Sequence, residues 1–470
     1  MMMKMTTFKI FFLIRIFMAC ISVGSFVPDE TWQSVEVAHN MVFGQGYLTW
    51  EWKEGIRSYL HPCLYAILFY VMKWTTIDSS DLIILLPRIL QGVISAIGDT
   101  CMVNVFEKIF WKENKSIFIA VYATNWFVLY ASSRTLINTF EMALTNISLK
   151  FYVERNSLYV SLIALSFMAR PTTAIFWIPL VLFDILYRES VIKVFTKMIP
   201  QAMIAVLSVI LLDSWFYGKV TIAAWTFLKM NLLQNISEQY GVQPWHWYMS
   251  NFMPALFCGF GLYPLFQGVY KGFHYQNGLS KILLFCLAFS MTCYSFLGHK
   301  EHRFIMPLIP LMMAYMALGL KKITKYLIAF CMLNIVLSLY LSLLHQRGPQ
   351  LVMKTLSSKT NVKGILILTP CHGTPYYSHL HRNISMRFLE CPPNLGESEY
   401  QEEDKIFFQN PKKWLEENEI SQYDHIIFYE GLRKQIEDYL QQQNFRECEK
   451  FWHTNFPDDR TSSHILIYCK

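Results

Sequence analysis

Long apolar blocks are the feature that most constrains how this chain can fold. They follow one another from Phe8 to about Leu344, and each is roughly 16 to 25 residues long, close to the length of a membrane-crossing helix. The chain is only 16% charged, whereas soluble domains carry about 25% charge. The pattern predicts an all-α polytopic membrane domain with about eleven transmembrane helices. We place them at 8–27, 83–106, 117–132, 139–152, 157–169, 172–187, 198–216, 253–270, 281–297, 304–320 and 325–343.

The chain becomes polar from about His345 onward. Short runs rich in isoleucine predict strands at 364–368, 425–428 and 464–468, and two segments at 411–419 and 431–443 predict helices. We therefore expect two domains, a transmembrane domain at 1–344 and a small α/β domain at 345–470. Four cysteines of the second domain allow three disulfide pairings in an oxidising compartment, and their spacing does not resemble a zinc site. They are Cys371, Cys391, Cys448 and Cys469.

The basic residues gather in short connections between the apolar blocks. The net charge of +7 therefore indicates orientation in a membrane rather than nucleic-acid binding, since no basic stripe with interleaved aromatics is present. If the segment 60–74 lies in the membrane plane or re-enters, the basic clusters share one cytosolic face with the N-terminus. These residues are Lys4, Lys9, Lys108, Lys112, Lys115, Lys150, Arg155, Arg188, Lys193, Lys197, Lys271, Lys281, Lys321, Lys322 and Lys325.

Most of the chemically interesting residues then fall on the opposite, non-cytosolic face, which includes the α/β domain. Two glycosylation tripeptides, beginning at Asn235 and Asn383, lie on that face, and a third at Asn114 lies on the cytosolic one. The first apolar block lacks a small-x-small cleavage site, so we expect it to be retained as a signal anchor.

Two adjacent carboxylates, Asp29 and Glu30, stand where the first apolar block ends. They can cap a helix and favour its dipole, but charge at a membrane edge is costly to keep without a use. The loop that follows, 44–62, is rich in aromatic and charged residues. It predicts a sugar-binding surface, although an interfacial aromatic belt has the same composition. Its possible substrate-binding residues are Trp50, Glu51 and Arg57.

The segment 298–304 places four potentially cationic side chains within five residues between two apolar blocks. Such a cluster predicts a site for the phosphate of a lipid carrier, because Arg and Lys neutralise phosphate without a metal. Anchoring to lipid headgroups is the alternative, but it normally falls on the cytosolic side. Further possible substrate-binding residues on the same face are Arg134, Arg170, Trp245 and His246.

Several of these sequence segments resemble those of a known enzyme family. The stretches 26–62 and 299–304 are similar to the dolichyl-phosphate-mannose-dependent mannosyltransferases of the endoplasmic reticulum, members of the GT-C superfamily. The family motif His-Lys-Glu-x-Arg-Phe is present as His299–Phe304, with His302 in the variable place. Within the family, the resemblance is to the branch that adds the third mannose to the GPI precursor. The segments on which this resemblance rests are 28–34, 48–52, 244–248, 370–379 and 386–393.

The resemblance implies an inverting transfer of an α1,2-linked mannose from dolichyl-phosphate-mannose to the GPI glycolipid at the luminal face of the endoplasmic reticulum. Asp29 matches the catalytic acidic position and is the expected general base, with Glu30 as a second catalytic residue. The donor phosphate is expected to be held by His299, Lys300 and Arg303, with Glu301 orienting them. The resemblance implies no metal and no cofactor. The partners are the two lipid substrates and the membrane, and protein partners stay open.

Two other functions remain open from the sequence. Enzymes that add the fourth GPI mannose or extend the lipid-linked N-glycan precursor share the acidic loop and the His-Lys-Glu motif. A polytopic lipid transporter is the other alternative, although most charges lie at the rims and no internal repeat is visible. Four acidic residues near the ends of apolar blocks are consistent with a transporter, so this alternative remains. They are Asp99, Glu141, Asp184 and Asp213.

Overall fold

Helices make up most of the structure, a computed structural model that describes residues 2–110, 114–320, 324–395 and 400–470. Lys112, Lys321 and Lys322, and the side chain of Lys4, lie outside the described residues. The chain divides into two compact units by spatial contact. The first unit comprises Met1–Cys20, Glu54–His61 and Arg88–Ser338, and the second comprises Ile21–Lys53, Pro62–Pro87 and Leu339–Lys470.

Most helices of the chain belong wholly or mainly to the first unit. Each of the eleven predicted spans overlaps helix, although the helix in 8–27 ends at Ile21 and the span 253–270 is interrupted at 257–261. Five helices among the described residues are long and apolar enough to cross a membrane. These five are Ser80–Ile109, Val191–Tyr217, Gly278–Phe296, His302–Gly319 and Lys325–Leu343. The remaining helices include Met2–Ile21, Lys115–Thr124, Trp126–Ala131, Ile137–Val153, Leu158–Ala169, Thr173–Phe183, Ala223–Leu228 and Leu262–His274. The count of eleven crossings stays a prediction.

Local chemistry explains why some of these helices are short. The predicted span 117–132 is interrupted at Asn125, whose side-chain oxygen accepts hydrogen bonds from the backbone N–H groups of Phe127 and Val128, both at 3.2 Å. This cap starts a new helix at Trp126. The segment 60–74 forms a helix, Leu60–Trp74, of 15 residues, which is shorter than the roughly 20 residues of a full crossing.

A glycine crossing fixes two helices of the first unit against each other. A Cβ atom added at Gly268 would lie 1.6 Å from the carbonyl oxygen of Tyr315, and one added at Gly319 would lie 1.8 Å from that of Pro264. Small residues let helix backbones approach this closely in a membrane. The Tyr315 hydroxyl also donates to the carbonyl of Ser280 at 2.7 Å. The crossing therefore packs Leu262–His274 on His302–Gly319, and the Tyr315 hydrogen bond ties His302–Gly319 to Gly278–Phe296, the helix that precedes residues 297–301.

The four acids that left the transporter open all have partners within the first unit. Removing one member of a buried ion pair is strongly destabilising, so the three acids that are paired with arginines contribute to the helix packing. The pairs are Asp99 with Arg15, Glu141 with Arg170, Asp184 with Arg188, and Asp213 with Ser58 and the backbone N–H of Tyr59.

The second unit contains a five-stranded sheet, as the expected α/β domain requires. In chain order its strands are β1 (Gly364–Leu368), β2 (Ser385–Phe388), β3 (His425–Tyr429), β4 (Arg446–Trp452) and β5 (His464–Cys469). The spatial order is β2-β1-β3-β5-β4, with β1 parallel to β2 and β3, and β5 antiparallel to β3 and β4. The three predicted strands are the central ones, which are buried on both faces.

Helices cover both faces of this sheet. One face carries Gly348–Ser358 and Tyr377–Leu380, and its core includes Trp32 from the loop after the first apolar block. The other face carries Glu403–Gln409, Pro411–Glu417 and Arg433–Gln442. The same unit holds the helix Glu36–Phe43 and the short helix Trp50–Lys53. The acidic loop is therefore packed on the sheet of the C-terminal region.

Two disulfides select one of the three pairings that the sequence left open. Cys371 is joined to Cys391, and Cys448 to Cys469. The first links the segment after β1 to the segment after β2, and the second joins the paired strands β4 and β5.

Replacing Gly268 by Ala is expected to destabilise the first unit by about 1–3 kcal/mol, because the added methyl group meets backbone rather than a movable side chain. Thermal unfolding of the detergent-solubilised protein measures the effect. Gly278→Ala is the matched control, since a Cβ atom there meets nothing within 4 Å. Equal melting temperatures for the two variants would contradict the close crossing.

Candidate active site

The helix that bears the acidic pair begins in the turn at Pro28. The backbone N–H groups of Thr31 and Trp32 both donate to the Pro28 carbonyl at 3.0 Å. Glu30 is buried and Asp29 is half-buried. Both carboxylates stand at the N-terminal end of a helical stretch that runs through a π-turn, Thr31–Val35, into Glu36–Phe43.

Trp32 attaches this helix to the C-terminal region. Its ring lies 4.5 Å from that of His372, 4.9 Å from Phe388 and 5.4 Å from Tyr376, measured between centroids. Tyr47 packs edge-on against Phe388 at 4.9 Å. Aromatic contacts of this kind stabilise beyond the area they bury, so the position of the acidic pair depends on residues more than 300 positions later in the chain.

Glu36 makes a second attachment, which sequence reasoning missed. Its side chain is fully buried and accepts hydrogen bonds from the backbone N–H groups of Ser378 at 2.9 Å, Tyr377 at 3.2 Å and Tyr47 at 3.3 Å. Burial raises the pKa of Glu36 to about 7, and the three N–H donors oppose that rise. In the sequence, this buried position could have been suspected from a single carboxylate between two apolar neighbours, Val35-Glu36-Val37.

The possible sugar-binding residues of the first loop divide between the two units. Glu51 accepts a hydrogen bond from the Gln33 side chain at 2.9 Å, so the short helix Trp50–Lys53 is tied to the acid-bearing helix. Trp50 is half-buried at the start of that short helix. Arg57 belongs to the first unit, where its guanidinium lies 6.0 Å from the Phe227 ring.

The His-Lys-Glu motif forms a compact ionic cluster in the first unit. Arg303 donates to the Glu301 carboxylate through two nitrogens, at 2.8 and 2.6 Å, and His299 meets the same carboxylate at 3.2 Å. Lys300 donates to the backbone carbonyl of Gln243 at 2.7 Å and to that of Leu297. Glu301 therefore lies between two of the predicted phosphate-binding side chains, in the position of an orienting residue.

His299 carries a charge in this arrangement. Its Nδ1 faces the Gly241 carbonyl at 2.8 Å and its Nε2 faces Glu301, and both of these partners only accept hydrogen bonds. Burial would lower the pKa of His299, but the hydrogen bonds to Glu301 and Gly241 outweigh it and raise the pKa above its ordinary value. With Lys300 and Arg303, the cluster holds three cations against one carboxylate, which is the charge balance of an anion site.

Neighbouring residues hold this cluster in place. Arg170 forms an ion pair with Glu141 at 2.9 Å, and its guanidinium lies 5.1 Å from the Phe304 ring. The guanidinium of Arg303 lies 5.9 Å from the same ring, and the Asn138 amide donates to the Arg303 carbonyl at 3.0 Å. Arg170 thus packs beside the motif, and its role as a substrate contact stays a prediction.

The remaining predicted site residues are scattered within the first unit. Arg134 is buried, donates to the Tyr130 carbonyl at 2.9 Å and stacks over the Tyr130 ring at 4.1 Å, as a structural arginine does. Trp245 and His246 are exposed, and His246 contacts the Ser250 hydroxyl at 2.9 Å. His302 packs on Trp247 at 4.7 Å.

One group of potential metal ligands occurs among the described residues, outside the predicted site. It consists of Cys371, His372 and Cys391. The two cysteines form a disulfide, and thiolates rather than disulfide sulfurs bind metals. These residues therefore do not fit a metal ion in their oxidised form, and the prediction of a metal-independent site stays a prediction.

Comparison with known proteins identifies the family. The model of the Alg9-like mannosyltransferase family matches residues 6–381. The chain belongs to this family. Its relatives include GPI alpha-1,2-mannosyltransferase 3 of Danio rerio, 36% identical with 99% of this chain and 92% of the relative covered. The proteins of the same name from Bos taurus and Homo sapiens are 38% and 37% identical, each over 94% of this chain, covering 85% and 83% of their own lengths.

Solved structures support the same architecture. The chain resembles ArnT from Cupriavidus metallidurans, in a crystal structure bound to undecaprenyl phosphate, with a TM-score of 0.63 and 7% sequence identity. The match covers 99% of this chain and 97% of that one. At this identity the likeness concerns the fold alone, and it agrees with a multi-pass membrane mannosyltransferase of GT-C type.

The charge on His299 gives this mannosyltransferase a predicted pH dependence. The raised pKa extends the imidazolium form to higher pH than in an ordinary histidine, and the charge is lost as the pH rises through that pKa. We expect the KM for the lipid-phosphate donor to increase over that range in the unsubstituted protein, and His299→Gln to remove the dependence. Steady-state kinetics from pH 6 to 9 measure both, with His274→Gln as an exposed control. A His299→Gln profile identical to that of the unsubstituted protein would contradict the charged role.

Proposed function

We propose that this protein transfers the third, α1,2-linked mannose of the GPI precursor, using dolichyl-phosphate-mannose as donor at the luminal face of the endoplasmic reticulum. The observation that carries the proposal is the near full-length identity of 36–38% to proteins named GPI alpha-1,2-mannosyltransferase 3. The family assignment makes the chain a mannosyltransferase, and these relatives associate it with GPI biosynthesis and a lipid-linked acceptor.

The proposed chemistry is a single in-line displacement. The donor carries a β-linked mannosyl phosphate, so an α-linked product requires inversion at the anomeric carbon, with no covalent enzyme intermediate. The reaction needs a base for the acceptor hydroxyl and charge stabilisation at the departing phosphate. We assign the first role to Asp29, supported by Glu30, because Asp29 matches the acidic position that the family resemblance implies and lies in the first turn of the helix after Pro28.

The second role falls to the His299–Arg303 cluster. As the bond to the anomeric carbon breaks, negative charge grows on the phosphate oxygens. Three cations and one carboxylate leave the cluster with an excess of positive charge to meet it. The two hydrogen bonds from Arg303 to Glu301 fix the guanidinium before the donor binds. This is the preorganisation that electrostatic catalysis requires. A cluster of this kind neutralises phosphate by itself, so we expect transfer to persist in the presence of EDTA.

Loss of the gene product followed by rescue tests the function. Cells that lack this protein are expected to accumulate a GPI intermediate with two mannoses, and the unsubstituted protein should restore normal GPI lipids. Asp29→Asn should fail to restore them, because general-base catalysis contributes about 10²- to 10⁴-fold. Glu54→Gln, at an exposed carboxylate further along the same connection, is the matched control for insertion. Truncated N-glycan precursors in place of the two-mannose lipid would refute the proposal, and full rescue by Asp29→Asn would remove Asp29 as the base.

The proposed topology has an independent test. Asn235 and Asn383 are both exposed, as glycan acceptors must be. If both lie in the lumen, Asn235→Gln and Asn383→Gln should each reduce the apparent mass by about one glycan, and endoglycosidase treatment should remove the difference. Asn114→Gln is the control expected to leave the mass unchanged, because its segment is assigned to the cytosol. A mass shift for Asn114→Gln alone would reverse the topology.

A further inference from the structure

The second unit contains a cavity to which no role has so far been assigned. Its volume is about 460 Å³, within the range of small-molecule sites. One wall is formed by the first loop, including Pro28, Glu30 and Trp32, and the other by the C-terminal region. The second wall is contributed by residues 370–375, Tyr429, His453 and the segment 458–461. The cavity therefore adjoins the acidic pair that is the proposed catalytic base.

His372 lines this cavity and has an unusual backbone conformation. Its φ angle is +59°, a conformation uncommon for any residue except glycine and one that clusters at functional sites. The turn is closed by a hydrogen bond from the Gly373 N–H to the Pro370 carbonyl at 2.8 Å and by the disulfide from Cys371. The ring of His372 packs on Trp32.

The two ring nitrogens of His372 differ in their surroundings. Nδ1 lies 3.5 Å from the sulfur of Cys371 and 3.9 Å from that of Cys391. Nε2 has no hydrogen-bond partner among the residues that the structure describes. Burial lowers the pKa of His372 to about 4, although the Asp29 carboxylate opposes the shift. A neutral imidazole beside Asp29 thus presents one nitrogen that can hydrogen-bond to a ligand hydroxyl.

The charges of the cavity indicate what kind of ligand it accepts. Glu30, Asp458 and Asp459 line it. Among its lining residues, all of which the structure describes, the one arginine or lysine is Arg460, and it is ion-paired with Asp404 at 2.8 Å. Such a lining repels phosphate. Carboxylates and a neutral imidazole next to an aromatic ring instead suit the hydroxyl groups and the faces of a sugar.

We infer that this cavity is the subsite for a terminal sugar of the acceptor glycan, with His372 binding one of its hydroxyl groups next to Asp29. The inference rests on the proposed function, since it names the place where that reaction's acceptor is held. It gives the C-terminal region a direct part in substrate binding. The contact is specificity-determining: it selects an acceptor by its sugar, while the donor is recognised by its phosphate.

His372→Asn tests the inference, because asparagine tolerates the positive φ angle but does not reach as far into the cavity. The assay uses dolichyl-phosphate-mannose and the two-mannose GPI lipid extracted from cells that lack the protein. We expect the KM for this acceptor to rise about 5- to 10-fold, as loss of a hydrogen bond would cause, with the KM for the donor unchanged. His464→Asn, in the same region but outside the cavity lining, is the control.

A second variant keeps the test decisive if His372→Asn folds poorly. Asp459 is exposed at the cavity edge, so Asp459→Asn should leave the melting temperature unchanged and still raise the acceptor KM. A rise in donor KM instead, or unchanged constants in a variant that folds, would overturn the inference. Failure of the unsubstituted protein to mannosylate this acceptor would instead refute the proposed function.

Discussion

The packing of Trp32 and Glu36 against the C-terminal region is the interaction on which the candidate site depends. A buried carboxylate without partners is strongly unfavourable, and Glu36 avoids this state only because the N–H groups of Tyr377 and Ser378 point at it. Trp32 adds an aromatic cluster four residues away. Together they fix the helix whose first turn carries Asp29, so the acidic loop depends on the folded sheet.

The ionic cluster at 299–303 is held together by local hydrogen bonds and ion pairs rather than by packing between distant segments. In it, cations crowd around a single carboxylate, and His299 and Lys300 are further tied to backbone carbonyls. The carbonyls hold the cations without neutralising their charge. The cluster can therefore remain assembled, and positively charged, before any anionic ligand arrives. A set of flexible surface cations would instead lose conformational entropy on binding.

The sequence predicts the periodic elements well and the long-range packing poorly. Every apolar block contains helix, and β1, β3 and β5 are buried runs with clear signals. The edge strands β2 and β4 were missed because Arg387, Glu447 and Glu449 interrupt any apolar alternation. Short fragments between loops, such as Met253–Leu256, could not be bounded from composition.

The site shows the same division. The motif residues His299, Glu301 and Arg303 are neighbours in sequence, so their ionic contacts follow from local spacing. Trp32 and His372 are 340 positions apart, and no period or composition links them. They meet because Trp32 packs into the core on one face of the sheet, next to the turn that carries His372. The sequence also left the cysteine pairing beside this turn as one of three alternatives. The contact between Trp32 and His372 therefore had to be read from the structure.

The linkage formed by the purified protein tests the central claim most directly. Radiolabelled dolichyl-phosphate-mannose and a two-mannose GPI lipid are incubated with the protein, and the product is digested with a mannosidase specific for α1,2 bonds. The account predicts a three-mannose lipid whose label is released completely by that enzyme. A labelled product that resists the digestion, or label transferred only to a different acceptor, would contradict it.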